Sequence, residues 1–485
     1  MQRPAPGLSR FFGSLSLAVL LNLLVKPGWV VLENLVQDRL GHAAFGLVAA
    51  LSSLTVVAIT LADLGLTQSG IQRTAAEPDF FAEHFPALHG LRGLLNLVAL
   101  AALLALGWAL GYRGAQLGLL GGIGAALLLT QYGLFLRGVF QGRQHFRTDA
   151  VLSVAEKLVL LGAVLALVAV PGALSLDRYI GARVGAAAFT VALFYGLLRR
   201  FFGPVRARLS RPAARGLLRQ SLPFALITVL YGLNERVDML MLERLASPRE
   251  AGYYAGAYRW MDAAMMYAWT VLPLFFARFA QAGARPAELR QLLGLGQRVV
   301  AVPLLFVVAF VLFRGEVVFW QFRHSSGAEV LRMSWCLRIL FLNVLVHAFF
   351  AIYSTLLTST GHERAVSGVV AGSLLLNVGL NLGLMPRYGA LAGAWDTLIC
   401  VVFVSAGYVW LLARRTAVPV PGRVLARLLL AFGLLCGAWY ALRQGLYLSW
   451  WLESAIMAAI FGLIVLGTGL IRQSELKQLT MSNEQ

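Results

Sequence analysis

The stretch AVLSVAEKLVLLGAVLALVAV, residues 150–170, decides the class of this chain. Only Glu156 and Lys157 interrupt it with charge. At about 1.5 Å rise per residue, a helix of that length crosses the ~30 Å hydrocarbon layer of a bilayer. The same pattern recurs along the chain. Apolar windows bounded by charge or by Gly and Pro fall at 13–36, 43–70, 88–112, 117–141, 150–170, 177–201, 221–246, 252–281, 295–320, 330–359, 364–386, 390–415, 423–443 and 450–472. They predict an all-α, polytopic helical membrane protein with about fourteen transmembrane helices.

Composition agrees. Of 485 residues, 59 % are hydrophobic and 13 % charged, against about 25 % charged in an average soluble domain. The net charge of +19 does not mark a nucleic-acid partner, because the positive charge lies in short gaps between apolar blocks and not on a soluble module with stacking aromatics. Ten-residue alternating strands of a membrane barrel are absent. Cys336, Cys400 and Cys436 stand alone inside apolar blocks and suggest neither a disulfide framework nor a metal cluster, and no cofactor motif is present. Arg3 and Arg10 precede an apolar run holding Lys26, Pro27 and Glu33 with no small-residue cleavage site, which reads as a retained first span.

Lys and Arg crowd the alternate gaps that share a side with both predicted termini. The richest gap, 199–219, carries Arg199, Arg200, Arg206, Arg208, Arg211, Arg215 and Arg219. By the positive-inside rule both termini are expected in the cytoplasm of a multi-pass cytoplasmic-membrane protein. The seven arginines then read as a topology determinant and lobe linker.

The chain also echoes itself at an offset of roughly 205 to 220 residues. Asp38-Arg39-Leu40-Gly41 followed by Phe45-Gly46 and Ala49 matches Glu243-Arg244-Leu245-Ala246 followed by Ala251-Gly252 and Ala255. Residues 141–147 are matched by 360–364. The expectation is two six-helix lobes as a parallel repeat about an axis along the membrane normal. The N-lobe is placed at 1–201, a basic linker at 202–220, the C-lobe at 221–415, and a C-terminal hairpin with its tail at 416–485.

Several stretches carry a family resemblance: Arg39-Leu-Gly-His-Ala-Ala-Phe-Gly, Asp63-Leu-Gly-Leu with Arg73, Arg137-Gly-Val-Phe-Gln-Gly-Arg-Gln-His-Phe-Arg147, Ser221-Leu-Pro-Phe, Arg236-Val-Asp-Met-Leu-Met-Leu242 and Ala251-Gly-Tyr-Tyr-Ala-Gly-Ala-Tyr-Arg259. The chain resembles the oligosaccharide flippases of bacterial polysaccharide synthesis, within the superfamily of multidrug/oligosaccharidyl-lipid/polysaccharide exporters. The resemblance covers most of the first twelve spans and is strongest over 221–280. It implies two lobes around a central cavity, alternating access, and passage of an undecaprenyl-diphosphate-linked sugar across the cytoplasmic membrane for surface polysaccharide synthesis. Glycan polymerase and glycosyltransferases would be its partners beside the lipid.

Charges inside spans are where such a substrate would be met, since each costs about 2.5 to 3.5 kcal/mol to insert and must face protein or water. In the first span Asn22, Lys26, Glu33 and Gln37 form one polar stripe with Trp29. Lys26 and Asn22 are read as substrate-binding and Glu33 as the balancing acid; the competing reading is that Lys26 and Glu33 only pair with each other. In the seventh and eighth spans Arg236 and Arg259 are candidates for the diphosphate, which a guanidinium grips bidentately, with Glu235, Asp238 and Asp262 as gating or cation-coupling acids. Here the competing reading is a set of ion pairs locking the two spans. Arg338 joins the substrate-binding set and Asp63 the gating set; Arg183, Asn343, His347, Asn377 and Asn381 are weaker candidates. Glu156-Lys157 reads as a local structural feature.

Other classes stay open within the superfamily: a peptidoglycan-precursor flippase or a cation-coupled multidrug exporter. An enzyme is not expected. The longest extracytoplasmic gap, around 314–332, holds Glu316, His324 and Glu329 without recognisable spacing, and no Walker loop is present.

Overall fold

The computed structural model describes residues 25, 27–63, 66–67, 80–143, 145–203, 232, 236–283, 285–416, 418–445 and 447–470. These residues are helical apart from the connections between helices. Twelve helices follow one another: α1 (His42–Asp63), α2 (Phe80–Ala109), α3 (Ala115–Gly142), α4 (Phe146–Ala169), α5 (Leu176–Phe202), α6 (Pro248–Ala282), α7 (Pro286–Arg314), α8 (Gly327–Ser359), α9 (Glu363–Tyr388), α10 (Ala390–Arg415), α11 (Gly422–Gly445) and α12 (Trp450–Gly467), with a 3-10 turn at Gly315–Phe319. Two further helical stretches cover 27–40 and 236–245. Each of twelve segments is long and apolar enough to cross a membrane. They correspond to twelve of the fourteen windows read from the sequence. The other two, 13–36 and 221–246, lie largely outside the described residues, as do most of the basic linker and the predicted sites Asn22, Lys26 and Glu235.

The helix ends follow from local chemistry. Ser175 caps α5 by accepting from the Arg178 amide at 3.3 Å, and the helix stops at Gly203, whose φ of 87° favours glycine. Ser326 and Glu329 form a reciprocal capping box at the start of α8. Gly389, at φ 60°, turns α9 directly into α10. The helix α2 begins eight residues before the window read from sequence and runs through Pro86, its seventh residue, which leaves the carbonyl of residue 82 without its intrahelical donor.

The chain divides into two compact units, Met1–Gly252 and Tyr253–Gln485, so α6 passes from one to the other at its fifth residue. In the first unit, two apolar cores follow one another along the same helices. One gathers Val36, Phe45, Leu51, Leu120, Ile123, Val164 and Tyr179. The other gathers Phe85, Leu88, Phe135, Phe140, Phe194 and Leu198. In the second unit, Phe279, Leu293, Ile352, Leu356, Tyr408 and Leu412 pack where α6, α7, α8 and α10 meet. The α11–α12 hairpin is seated on α7 through fully buried Trp439, which stacks on Phe313 at 5.8 Å between ring centroids and contacts Phe306 and Phe310.

Candidate functional site

At the join between the two cores of the first unit, the apolar packing gives way to charge. Residues 159–168 of α4 pack with the first core and Leu152 and Ala155 with the second; Glu156 and Lys157 fall between. Thr130 of α3, at the same level, donates to Glu156 Oε1 at 2.7 Å. Lys157 lies over the Trp29 ring, with Nζ 5.0 Å from its centroid, and within electrostatic reach of Glu33, Glu156 and Arg183. Arg183 lies 5.8 Å from the Tyr179 ring centroid, and the Tyr179 hydroxyl donates to Glu33 Oε1 at 3.3 Å. Two cations and two carboxylates from three elements thus meet in the spanning region, each only partly shielded from solvent.

Helix geometry explains the assembly. Tyr179 and Arg183 are four apart on α5 and share a face, which meets the face of the 27–40 stretch bearing Trp29 and Glu33. Ring faces hold both cations, so the charges are oriented without the full cost of an isolated buried ion. Of this cluster, sequence reading gave Glu33 full weight and Arg183 little, and set Lys157 aside. The signal for Lys157 was available: it is an ionisable residue at the middle of an otherwise apolar span.

Asp63 stands elsewhere. Its Oδ1 accepts from Arg92 Nη1 at 2.5 Å and from Thr67 Oγ1 at 2.5 Å, so it neutralises a guanidinium that is wholly buried within α2. One turn away on the same face, His89 meets the Tyr132 hydroxyl at 2.8 Å and stacks on Tyr195. The charge cluster and this Arg92 network are separate features of the first unit. Asp238 is buried and Arg236 half-buried on the 236–245 stretch, while Arg259 and Asp262 are half-buried on α6. Each of these four makes at least one polar or ring contact.

In the second unit Arg338 is paired with Glu316 at 2.5 Å and lies 5.0 Å from the Trp335 ring centroid. A different group of polar side chains is more deeply enclosed. Asn381 Nδ2 donates to Asn377 Oδ1 at 3.1 Å on α9. Across from them on antiparallel α10, Cys400 contacts Ser373 and Asp396, which places the buried Asp396 carboxylate level with the two asparagines. Thr397 is met by Tyr254 at 2.9 Å, and its carbonyl accepts from Asn343 at 3.2 Å. An oxygen-rich group of this kind suits a hard cation. Among the described residues, no three His, Cys, Asp or Glu side chains come together as a metal site. Sequence reading named Asn343, Asn377 and Asn381 here but passed over Asp396.

Solved structures share this fold. "Lipid II flippase MurJ, inward closed conformation" superposes with a TM-score of 0.74 at 11 % identity, over 95 % of this chain and 99 % of that one. "Inward-facing conformation of a multidrug resistance MATE family transporter of the MOP superfamily" gives 0.60 at 15 %, over 83 % and 97 %. A MOP superfamily transporter from Pyrococcus furiosus, described as having reverse polarity of its binding pocket, gives 0.57 at 17 %, over 83 % and 94 %. No curated protein matches the chain. The chain therefore shares the fold of these solved multi-pass membrane proteins. The family model described as "Polysaccharide biosynthesis protein" matches residues 12–279, more than half of the chain, and the chain belongs to that family.

Proposed function

We propose that this protein flips an undecaprenyl-diphosphate-linked oligosaccharide across the cytoplasmic membrane by alternating access, with both termini cytoplasmic, and so supplies surface polysaccharide synthesis. Family membership supports the pathway and the shared fold supports the transport class. The observation that carries the reading is the pair Lys157 and Arg183, held beside Trp29 and Tyr179 in the spanning part of the first unit. A diphosphate is a compact anion for which a guanidinium fork and an ammonium are fitting partners, and aromatic faces beside them suit the apolar face of a sugar. Arg236 and Arg259 remain the candidates on the 236–245 stretch and α6, with Asn22, Lys26 and Arg338 completing the proposed substrate set. Glu33, Asp63, Glu235, Asp238 and Asp262 are the proposed gating or coupling acids.

The test is replacement of Lys157 and Arg183, singly and together, by Ala in the cell that makes the polysaccharide. Surface polysaccharide should fall at least about tenfold, as loss of a charge-assisted contact of 1.5 to 3 kcal/mol implies, while the protein stays at its normal level in the membrane. Unchanged polysaccharide in the double variant would sink the assignment.

A second reading has a specific support. The superposition on the lipid II flippase covers nearly all of both chains, which favours a peptidoglycan precursor as the cargo. Deleting the gene separates the two: inviable cells indicate the precursor, and viable cells lacking a surface glycan indicate the oligosaccharide. The Asp396, Asn377 and Asn381 group supports a coupling cation in either case.

A further inference from the structure

The α11–α12 hairpin meets α7 at two levels, and the chemistry differs between them. Near one end, Trp439 and the Phe306, Phe310 and Phe313 rings make an apolar seat, with Arg314 and Glu453 beyond it. Toward the other end α7 and α11 come close again, so that a methyl group at Gly294 would lie 3.7 Å from Val424 Cγ2. About one turn further along each helix stands an arginine, Arg298 on α7 and Arg427 on α11. Arg298 lies about 12 Å along α7 from Phe306, clear of the apolar seat.

Both arginines reach the end of α12. That helix closes on Gly469, at φ 63°, which leaves the Gly469 and Leu470 carbonyls beyond its last turn. Arg298 Nη1 donates to the Leu470 carbonyl at 3.2 Å and its Nε to the Gly294 carbonyl at 3.3 Å, which fixes the guanidinium in place. Arg427 Nη1 donates to the Gly469 carbonyl at 3.5 Å, a long bond, and the rest of its fork stays on an exposed side chain. Two guanidiniums from different helices are thereby brought to adjacent carbonyls. Arg423, one turn back from Arg427 on α11, is exposed too and makes no hydrogen bond or ion pair among the described residues. The acids of these three helices are engaged elsewhere. Glu288, the one acid of α7, is held by Arg285 at 2.8 Å; α11 has none; and Glu453, the one acid of α12, sits at the far end with Arg314. Around the arginines the outward faces are apolar, with Leu295 and Val299 of α7, Leu430 of α11 and Leu463 and Leu466 of α12 all exposed. In a membrane such faces meet acyl chains, so a surface for fatty chains leads to a basic recess.

We infer that Arg298 and Arg427, with Arg423 beside them, hold the phosphate of an anionic phospholipid where α7 and α11 begin and α12 ends. A guanidinium fork matches phosphate oxygens bidentately, and a basic recess between spanning helices at the interface is a form that headgroup sites take. A phosphate set between the two guanidiniums removes their mutual repulsion and leaves their bonds to the end of α12 intact. The headgroup then fastens this end of the hairpin as Trp439 fastens the other. The inference goes beyond the proposed cargo, and it depends neither on that cargo nor on which face of the membrane is cytoplasmic.

The test uses the full-length protein in a neutral detergent, with phosphatidylglycerol or phosphatidylcholine added at equal mole fraction. Native mass spectrometry counts the lipid retained, and thermal unfolding reads its consequence. Retention of phosphatidylglycerol should exceed that of phosphatidylcholine about tenfold, the scale of one charge-assisted contact, and Arg423→Gln with Arg427→Gln should abolish the excess. Both side chains are exposed and Arg298 still caps α12, so this variant should unfold at the wild-type midpoint in phosphatidylcholine. Removing the same charge from the end of α10, by Arg414→Gln with Arg415→Gln, should leave the excess in place. The wild-type midpoint should rise by several degrees with phosphatidylglycerol only, and the rise should vanish in the Arg423 and Arg427 variant. Equal retention of the two lipids, or an excess lost equally in both double variants, overturns the site. Protection by inorganic phosphate equal to that by phosphatidylglycerol would mark an ion site, and undecaprenyl diphosphate retained in its place would give the recess to the cargo; either result also overturns the inference. No transport is measured, so a failure here leaves the flippase reading untouched, and a failure of that reading leaves the lipid site standing.

Discussion

Arg92 is completely buried and sits within a membrane-spanning helix, so its charge has to be answered from within the protein. Asp63 answers it at 2.5 Å. Removing one member of such a pair leaves the other stranded, which costs far more than replacing both. Asp63→Ala should therefore lower unfolding stability in detergent by about 3 kcal/mol, and Asp63→Leu with Arg92→Met should recover most of the loss. Equal stability of the single and double variants would contradict this account. Tyr112 makes a different kind of contact, in the connection between α2 and α3. Burial first, and then its hydrogen bond to Glu243 and the charge of that carboxylate, push its phenol up to about 12 from an ordinary value near 10. The folded protein holds that proton more tightly than the unfolded chain. The contribution of the Tyr112–Glu243 contact is thus complete below about pH 10 and is lost as pH rises towards about 12. The alkaline loss of thermal stability should shrink in Tyr112→Phe, and an identical pH profile in the two proteins would refute the assignment.

Among the elements, the α11–α12 hairpin shows how a later pair of spans is fastened to a helix bundle. Trp439 fills the contact with α7 and donates its indole N–H to Glu453, which also accepts from Arg314. Trp439→Ala empties a fully enclosed site, and losses of about 3 to 5 kcal/mol attend such truncations. It should expose the connection between α11 and α12 to protease while the remainder of the chain resists, as read by limited proteolysis of the purified protein. A hairpin as resistant as in the wild type would show that Trp439 is not its anchor. The helices themselves were legible from sequence because apolar runs report them directly, whereas their partners were not. Nothing in the 150–170 run tells that Lys157 faces Trp29 of another helix, because that pairing is non-local. The window at 88–112 likewise hid His89 and Arg92 near its edge. Both fall in the first turn of that window, whereas the start of α2 at Phe80 sets them two to three turns inside the helix.

At the scale of the whole molecule, the proposed orientation is open to direct measurement. A fluorescent protein that folds only in the cytoplasm should be bright when fused after residue 485, and alkaline phosphatase fused there should be inactive; the reverse result would invert the molecule. Charge distribution carries that expectation, since the seven arginines of 199–219 share a side with the C-terminus in the fourteen-span reading. The fastening of the hairpin also bears on how the chain is made. Glu453 belongs to α12 and is almost fully enclosed, and the arginine that neutralises it lies 139 residues earlier in α7. During synthesis, α7 enters the membrane long before α12 emerges from the ribosome. Arg314, at the end of its helix, can wait with its head group in the interfacial water. Glu453 then has a cation to meet on arrival, so the order in which the spans are made places the tolerant charge first and the costly one second.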